Sequence, residues 1–186
     1  MKAMRSGGII LASALLAAAA TAALAQQKQD SVSALKGHNS DAPVDVSADR
    51  IEVQDRSDRA IFAGNVHVKQ AELTLDTSRL TVAYTGGSQT SGGVQIRRLD
   101  AAGGVTVHSP SETAKGDFGI YDLDKKLITL IGSVQLNRGA NQVNGSRLVI
   151  DLDSGRAVID GGPPGVNQSG GRVTGHFTVP QRKPQP

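Results

Sequence analysis

From residue 43 to about residue 162, apolar and polar side chains alternate with a period of two, the pattern of strands with one buried and one wet face. Val44 and Val46 open it, and Ile51 and Val53 follow. Ala60, Phe62, Gly64, Val66 and Val68 then alternate without a break. Leu73 and Leu75 come next, then Leu80, Val82 and Tyr84. The pattern resumes at Leu99, Ala101, Gly103, Val105 and Val107, at Tyr121 and Leu123, and at Ile128, Leu130, Gly132, Val134 and Leu136. Leu148, Ile150 and Leu152 lead to Ala157 and Ile159. Polar turn sequences separate these runs at Asp55-Arg56-Ser57-Asp58, at residues 122–126 and at Asp153-Ser154-Gly155. No comparable stretch carries a helical period, so an all-β chain of antiparallel strands is expected.

The runs also recur at fixed spacing. Ile51 precedes Gly64 by 13 positions, as Gly119 precedes Gly132 and Leu148 precedes Gly161. Leu80 and Gly103 have the same relation with ten added residues, 85–94, which read as a mobile loop. Units therefore begin at residues 51, 80, 119 and 148, spaced 29, 39 and 29 apart. A repeat of this size implies stacked units that bury their apolar faces against neighbours, giving two ends and a continuous interior. The four glycines fall where a strand would be interrupted, and are expected to mark bends at which the chain changes sheet.

The first 25 residues fall outside this pattern. Lys2 and Arg5, an apolar run over residues 9–20, and Ala23-Leu24-Ala25 read as an export signal removed after Ala25; an uncleaved anchor is the alternative. Residues 26–42 read as a flexible lead-in, residues 43–179 as one domain, and residues 180–186 as a disordered tail. Loss of Lys2 and Arg5 from the 20 Lys and Arg leaves 18 bases against 17 acids, so the mature chain is nearly neutral. No basic block marks a nucleic-acid footprint. The absence of cysteine excludes thiol chemistry and disulfides.

Candidate chemistry is sparse. Asp117-Phe118-Gly119 spells a kinase metal-binding tripeptide, but no phosphate loop or catalytic loop accompanies it, and it opens a repeat strand. His38, His67, His108 and His176 are too widely spaced for a local metal motif. Nothing assembles a nucleophile, base and orienter, so no enzymatic activity, cofactor or metal is expected. What remains is architecture: two sheet ends with unpaired backbone groups, which template pairing with another chain. The slim inward residues suit either a lipid-holding groove or a solid core, and periodicity alone leaves both open.

Two segments add a resemblance. PVDVSADRIEVQDRSDRAIFAGNVHVKQAELTLDTSRLTVAYTGG, residues 43–87, and KGDFGIYDLDKKLITLIGSVQLNRGANQVNGSRLVIDLDSGRAVIDGG, residues 115–162, resemble the two halves of the OstA-like β-jellyroll family of periplasmic lipopolysaccharide-transport proteins. The strand opening recurs at Gly64-Asn65-Val66-His67-Val68 and Gly132-Ser133-Val134-Gln135-Leu136. The resemblance implies a V-shaped open sandwich that holds the acyl chains of lipopolysaccharide inside and leaves its sugars outside. With strand phase, it nominates Val44, Val46, Ile51, Val53, Phe62, Val66, Leu80, Val82, Val105, Tyr121, Leu123, Leu130, Val134 and Ile150 as lining residues. It also implies end-to-end assembly. Val44 and Val46 would face an inner-membrane LptC-like jellyroll. Val173 and Phe177, in a last strand over residues 173–179, would face a second copy or an outer-membrane LptD-like jellyroll. A membrane-anchored LptC-like sister and a structural β-solenoid scaffold are the alternative readings.

Overall fold

A computed structural model describes residues 38–86, 93–162 and 171–179. The expected export signal 1–25, the expected lead-in to residue 37, the centre of the 85–94 insertion and the expected tail 180–186 lie outside the described residues.

Among the described residues ten strands form one continuous antiparallel sheet: β1 Val44–Ser47, β2 Arg50–Gln54, β3 Arg59–Gln70, β4 Leu73–Thr85, β5 Gln95–His108, β6 Thr113–Asp122, β7 Leu127–Arg138, β8 Asn141–Asp151, β9 Arg156–Asp160 and β10 Thr174–His176. Strands β3 to β8 meander, each long and bent in the middle, where every neighbouring pair breaks register. The short strands are halves of two further bent strands. β1 and β2 both pair with β3, and β9 and β10 both pair with β8. The bends divide the sheet into two wings. One runs β2, β3, β4, β5, β6, β7, β8, β9; the other runs β1, β3, β4, β5, β6, β7, β8, β10. This is the expected unclosed, V-like antiparallel sandwich. The last strand is shorter than residues 173–179, because only residues 174–176 pair in the ladder with β8; the Thr178 amide instead donates to Asn141 Oδ1 at 2.9 Å.

Each repeat contributes two strands, and the repeat exists because two consecutive strands turn the corner differently. In β3, β5 and β7 two residues stand at the bend opposite one of the following strand: Gly64-Asn65 opposite Ser78, Gly103-Gly104 opposite Asp117 and Gly132-Ser133 opposite Ser146. In β4, β6 and β8 the inward phase instead slips by one, from Thr77 to Leu80, Gly116 to Gly119 and Gly145 to Leu148. A slip of one residue would normally expose a strand's apolar face, but at a bend it keeps that face inside.

The residue in the slip holds the neighbouring bulge. Asp117 Oδ2 accepts from the Ser133 amide at 3.2 Å, and Asp49 Oδ2 accepts from Asn65 Nδ2 at 2.8 Å. Ser78 Oγ donates to the Gly103 carbonyl at 2.7 Å, and Ser146 Oγ to the Gly161 carbonyl at 2.9 Å. Acid clamps meet Gly-Asn or Gly-Ser, and hydroxyl clamps meet Gly-Gly. Asp117 is thus a corner clamp, which accounts for it without kinase chemistry.

The wings close on layers of inward side chains. One rung runs Ile51, Phe62, Leu80, Ala101, Gly119, Leu130, Leu148, Ile159 in register. Its central members Leu80, Leu130 and Leu148 are fully buried. Outward positions carry exposed polar pairs such as the Arg98–Asp100 ion pair and the His67–Asp76 hydrogen bond, and exposed pairs of this kind contribute little to stability.

Gly132 has φ +88°, and a methyl there would overlap the Asp117 carboxylate; Gly104 has φ +80° and open space around it. Gly104→Ala should therefore cost only left-handed backbone strain, about 1–2 kcal/mol. Gly132→Ala should cost distinctly more. Equilibrium denaturation at unchanged m-value checks this, and equal losses would show that the clamp yields freely.

Candidate functional site

The interior is continuous but differs along its length. At its centre the wings nearly touch. A methyl on Gly119 would lie 3.0 Å from Val105 Cγ1 of the other wing, and one on Gly116 would lie 3.2 Å from Leu130 Cβ. Absence of those side chains lets Val66, Leu80, Leu99, Val105, Leu130, Val134, Leu148 and Ile150 pack almost without exposure. The space left is a slit of about 20 Å³ lined by Val68, Gln70, Leu75, Leu99, Tyr121 and Leu130 among others. That is little more than one water needs, about 10–15 Å³. Toward β9, a methyl on Gly145 would overlap Ile159, so that end is packed too.

Toward β1 and β2 the wings part. A solvent-open groove of about 630 Å³ lies between Val44 and Val46 of β1 and Ile51, Val53, Ala60, Phe62, Val82, Tyr84 and Ile96 of the other wing. That volume falls in the range that holds a small organic ligand, about 300–1,000 Å³. Ile51 and Val53 are 56% and 57% exposed, a costly arrangement for side chains with no role outside a core. Polar groups sit at the groove's margin. Asp55 lines it, and the Tyr84 phenol is pushed up by burial, with Asp55 and Asp58 adding to the shift.

The nominated lining residues therefore divide. Val44, Val46, Ile51, Val53, Phe62 and Val82 meet in the groove. Tyr121 and Leu130 line the slit, and Val44 borders both spaces. Val66, Leu80, Val105, Val134 and Ile150 lie in the packed core, and Leu123 is a partly buried residue against it. Among the described residues Val44 and Val46 lie on an edge strand, β1, and Val173 and Phe177 flank β10 at the opposite edge; both of the latter are exposed.

Sequence periodicity passed over two polar groups. Gln70 sits on an inward position at 3% exposure. Its Oε1 accepts from Tyr121 Oη at 3.0 Å and lies 3.1 Å from His38 Nε2; its amide donates to the carbonyls of Ser40 and Ala42 at 2.8 and 3.0 Å. The end of the lead-in, expected to be flexible through residue 42, is thus fastened to the interior from residue 38. Burial pushes the Tyr121 phenol up. Glu112, in the β5–β6 turn, is the second group. Its side chain is buried beside Val107, Ala114, Leu136 and Ile150, with Arg138 Nε at 3.6 Å. Glu112 follows a polar turn, and a turn acid offers no sign in the sequence that it points inward.

The chain belongs to the LptA/(LptD N-terminal domain) LPS transport protein family, whose sequence model matches residues 45–156. An uncharacterized protein of Rhizobium meliloti (strain 1021) is 36% identical over 167 residues, covering 88% of this chain and 86% of that protein. The crystal structure of LptH, the LptA-homologous periplasmic component of the lipopolysaccharide transport device of Pseudomonas aeruginosa, superposes with a TM-score of 0.64 at 18% identity. That match covers 76% of this chain and 99% of LptH, and shows that the two share a fold. Among the described residues no helix is long and apolar enough to cross a membrane.

Burial raises the Glu112 carboxyl above its ordinary 4.5, and Arg138 opposes the shift only in part. Between the ordinary and the raised value the folded chain binds more protons than the unfolded one, so Glu112 makes stability fall as pH rises through that window. Glu112→Gln should remove this component of the slope and leave the variant relatively more stable at neutral pH. Denaturation midpoints measured from pH 4 to 7 check it; a Gln variant with the parent's slope would contradict it.

Proposed function

We propose that this chain is a non-enzymatic periplasmic carrier of lipopolysaccharide, taking the acyl chains into the groove between β1 and β2 and leaving the sugars in water. The observation that carries this reading is an apolar groove, open at one end of a sheet otherwise packed, in a member of a lipopolysaccharide-transport family. Each buried methylene is worth about 0.8 kcal/mol, so a dozen-carbon acyl chain in water costs on the order of 10 kcal/mol. An aliphatic wall offsets that cost through burial and dispersion, which have no directional preference and leave the chain free to slide. Energy for directed movement must come from a partner.

The two sheet edges among the described residues support assembly with like-built neighbours. β1 and β2 present one edge, for an LptC-like jellyroll anchored in the inner membrane. β9 and β10 present the other, for a second copy or an LptD-like jellyroll of the outer membrane. Export would follow from a signal cleaved after Ala25, and Gln26 as the mature N-terminus tests that point; Met1 would favour the anchored alternative.

A photo-crosslinking residue at position 51 or 53 in living cells should yield a lipopolysaccharide adduct, and one at exposed Phe118 on the outer face should not. The same reagent at Asp45 and Phe177 should give protein adducts. Absence of lipid at 51 and 53 in a folded protein would leave a structural scaffold as the better account. Ile51→Asp with Val53→Asp should lower lipopolysaccharide retention at least tenfold while leaving β-sheet content unchanged.

A further inference from the structure

We propose that Gln70, Tyr121 and residues 38–42 form a latch across the mouth of the V, and that cargo passes from the groove into the central slit only when the latch opens. The cargo rests on the lipid-carrier reading; the latch does not. Gln70 is the last residue of β3, and Tyr121 the penultimate residue of β6. Both stand at strand ends far from the corners, Gln70 on one wing and Tyr121 on the other. The hydrogen bond between them therefore spans the V at its open side, joining residues 51 apart in sequence.

Gln70 is the hub. Its amide donates twice to the backbone of residues 38–42, and its carbonyl oxygen serves Tyr121 and His38 together. Because that oxygen only accepts, the His38 contact requires a hydrogen on Nε2. The slit lies directly behind, with both Gln70 and Tyr121 in its wall, and Val44 belongs to slit and groove alike. Separation of the wings at this bond would join the two spaces.

The latch is built to be marginal. Among the described residues His38 Nδ1 is buried with no partner, and the cost of an orphaned polar atom is comparable with the net gain of a hydrogen bond. The Gln70 amide bonds a phenol and two backbone carbonyls, none of them ionic contacts, so water replaces each of these bonds at small net cost. Residues 38–42 also lead directly into β1, an edge strand among the described residues, and a neighbour adding a strand there would pull on the latch.

The chain has no cysteine, so spin labels at Glu72→Cys and Lys125→Cys, in the turns beside Gln70 and Tyr121, report the distance across the mouth of the full-length protein. Tyr121→Phe keeps the ring and removes only the hydroxyl; Gln70→Leu removes the hub. In both, without lipid, the distance distribution should move to longer values than in the parent, and purified lipopolysaccharide should lengthen the parent's own distances. Folded variants with the parent's distribution would overturn the latch, even if lipopolysaccharide binds. Lengthened distances in variants that bind no lipopolysaccharide would sustain the latch and refute the cargo.

Discussion

The structure depends on keeping one face of a continuous sheet inside while every strand turns a corner. Side chains alternate with period two, so any irregularity in a strand threatens to turn its apolar face outward. The chain meets this with paired irregularities. One strand sets two residues at a glycine opposite one of its neighbour, which slips phase by one. Asp49, Ser78, Asp117 and Ser146 hold the two together. Their spacing is 29, 39 and 29 residues, the spacing of the apolar repeats themselves. The repeat is thus the footprint of a corner, because each corner needs one clamp, one glycine and the strand lengths between them.

Much of this was legible in the sequence. The inward list follows from alternation, and the rungs from Ile51 to Ile159 confirm it. The bends at Gly64, Gly103 and Gly132 followed from glycine interrupting a strand pattern. The clamps were less visible, since a lone Asp or Ser between apolar runs looks like any outward residue. They could have been found from the phase itself: Leu75 and Leu80 differ by an odd number, and so do Val143 and Leu148. A parity change inside one strand marks the position of a slip.

The groove was not legible, for a physical reason. Ile51 and Phe62 on one rung are chemically like Leu130 and Leu148 on the same rung, and only the separation of the wings decides which are covered. That separation depends on Gly116, Gly119 and Gly145, whose missing side chains let the wings meet at the centre and toward β9. No comparable glycine lies on the inward face of β1 or β2. Gln70 was concealed differently. It ends a run whose other members are Val66 and Val68, and a polar residue there reads as the start of a turn.

A hollow open along its whole length would be a poor resting state for such a sheet. An unfilled apolar cavity loses the dispersion contacts of its lining, and a core deprived of about a side chain's volume loses several kcal/mol. This chain keeps its centre filled by its own Leu and Val and leaves Ile51 and Val53 exposed at one end, where among the described residues β1 has a partner, β3, on one side only. Exposed edge and exposed groove then coincide, and a neighbouring jellyroll that pairs with β1 would cover both. Edge pairing and continuity of the interior would then be a single contact, since a strand added to the sheet there would also extend the groove wall. In such an assembly the cost of exposing Ile51 and Val53 would be confined to the unassembled chain.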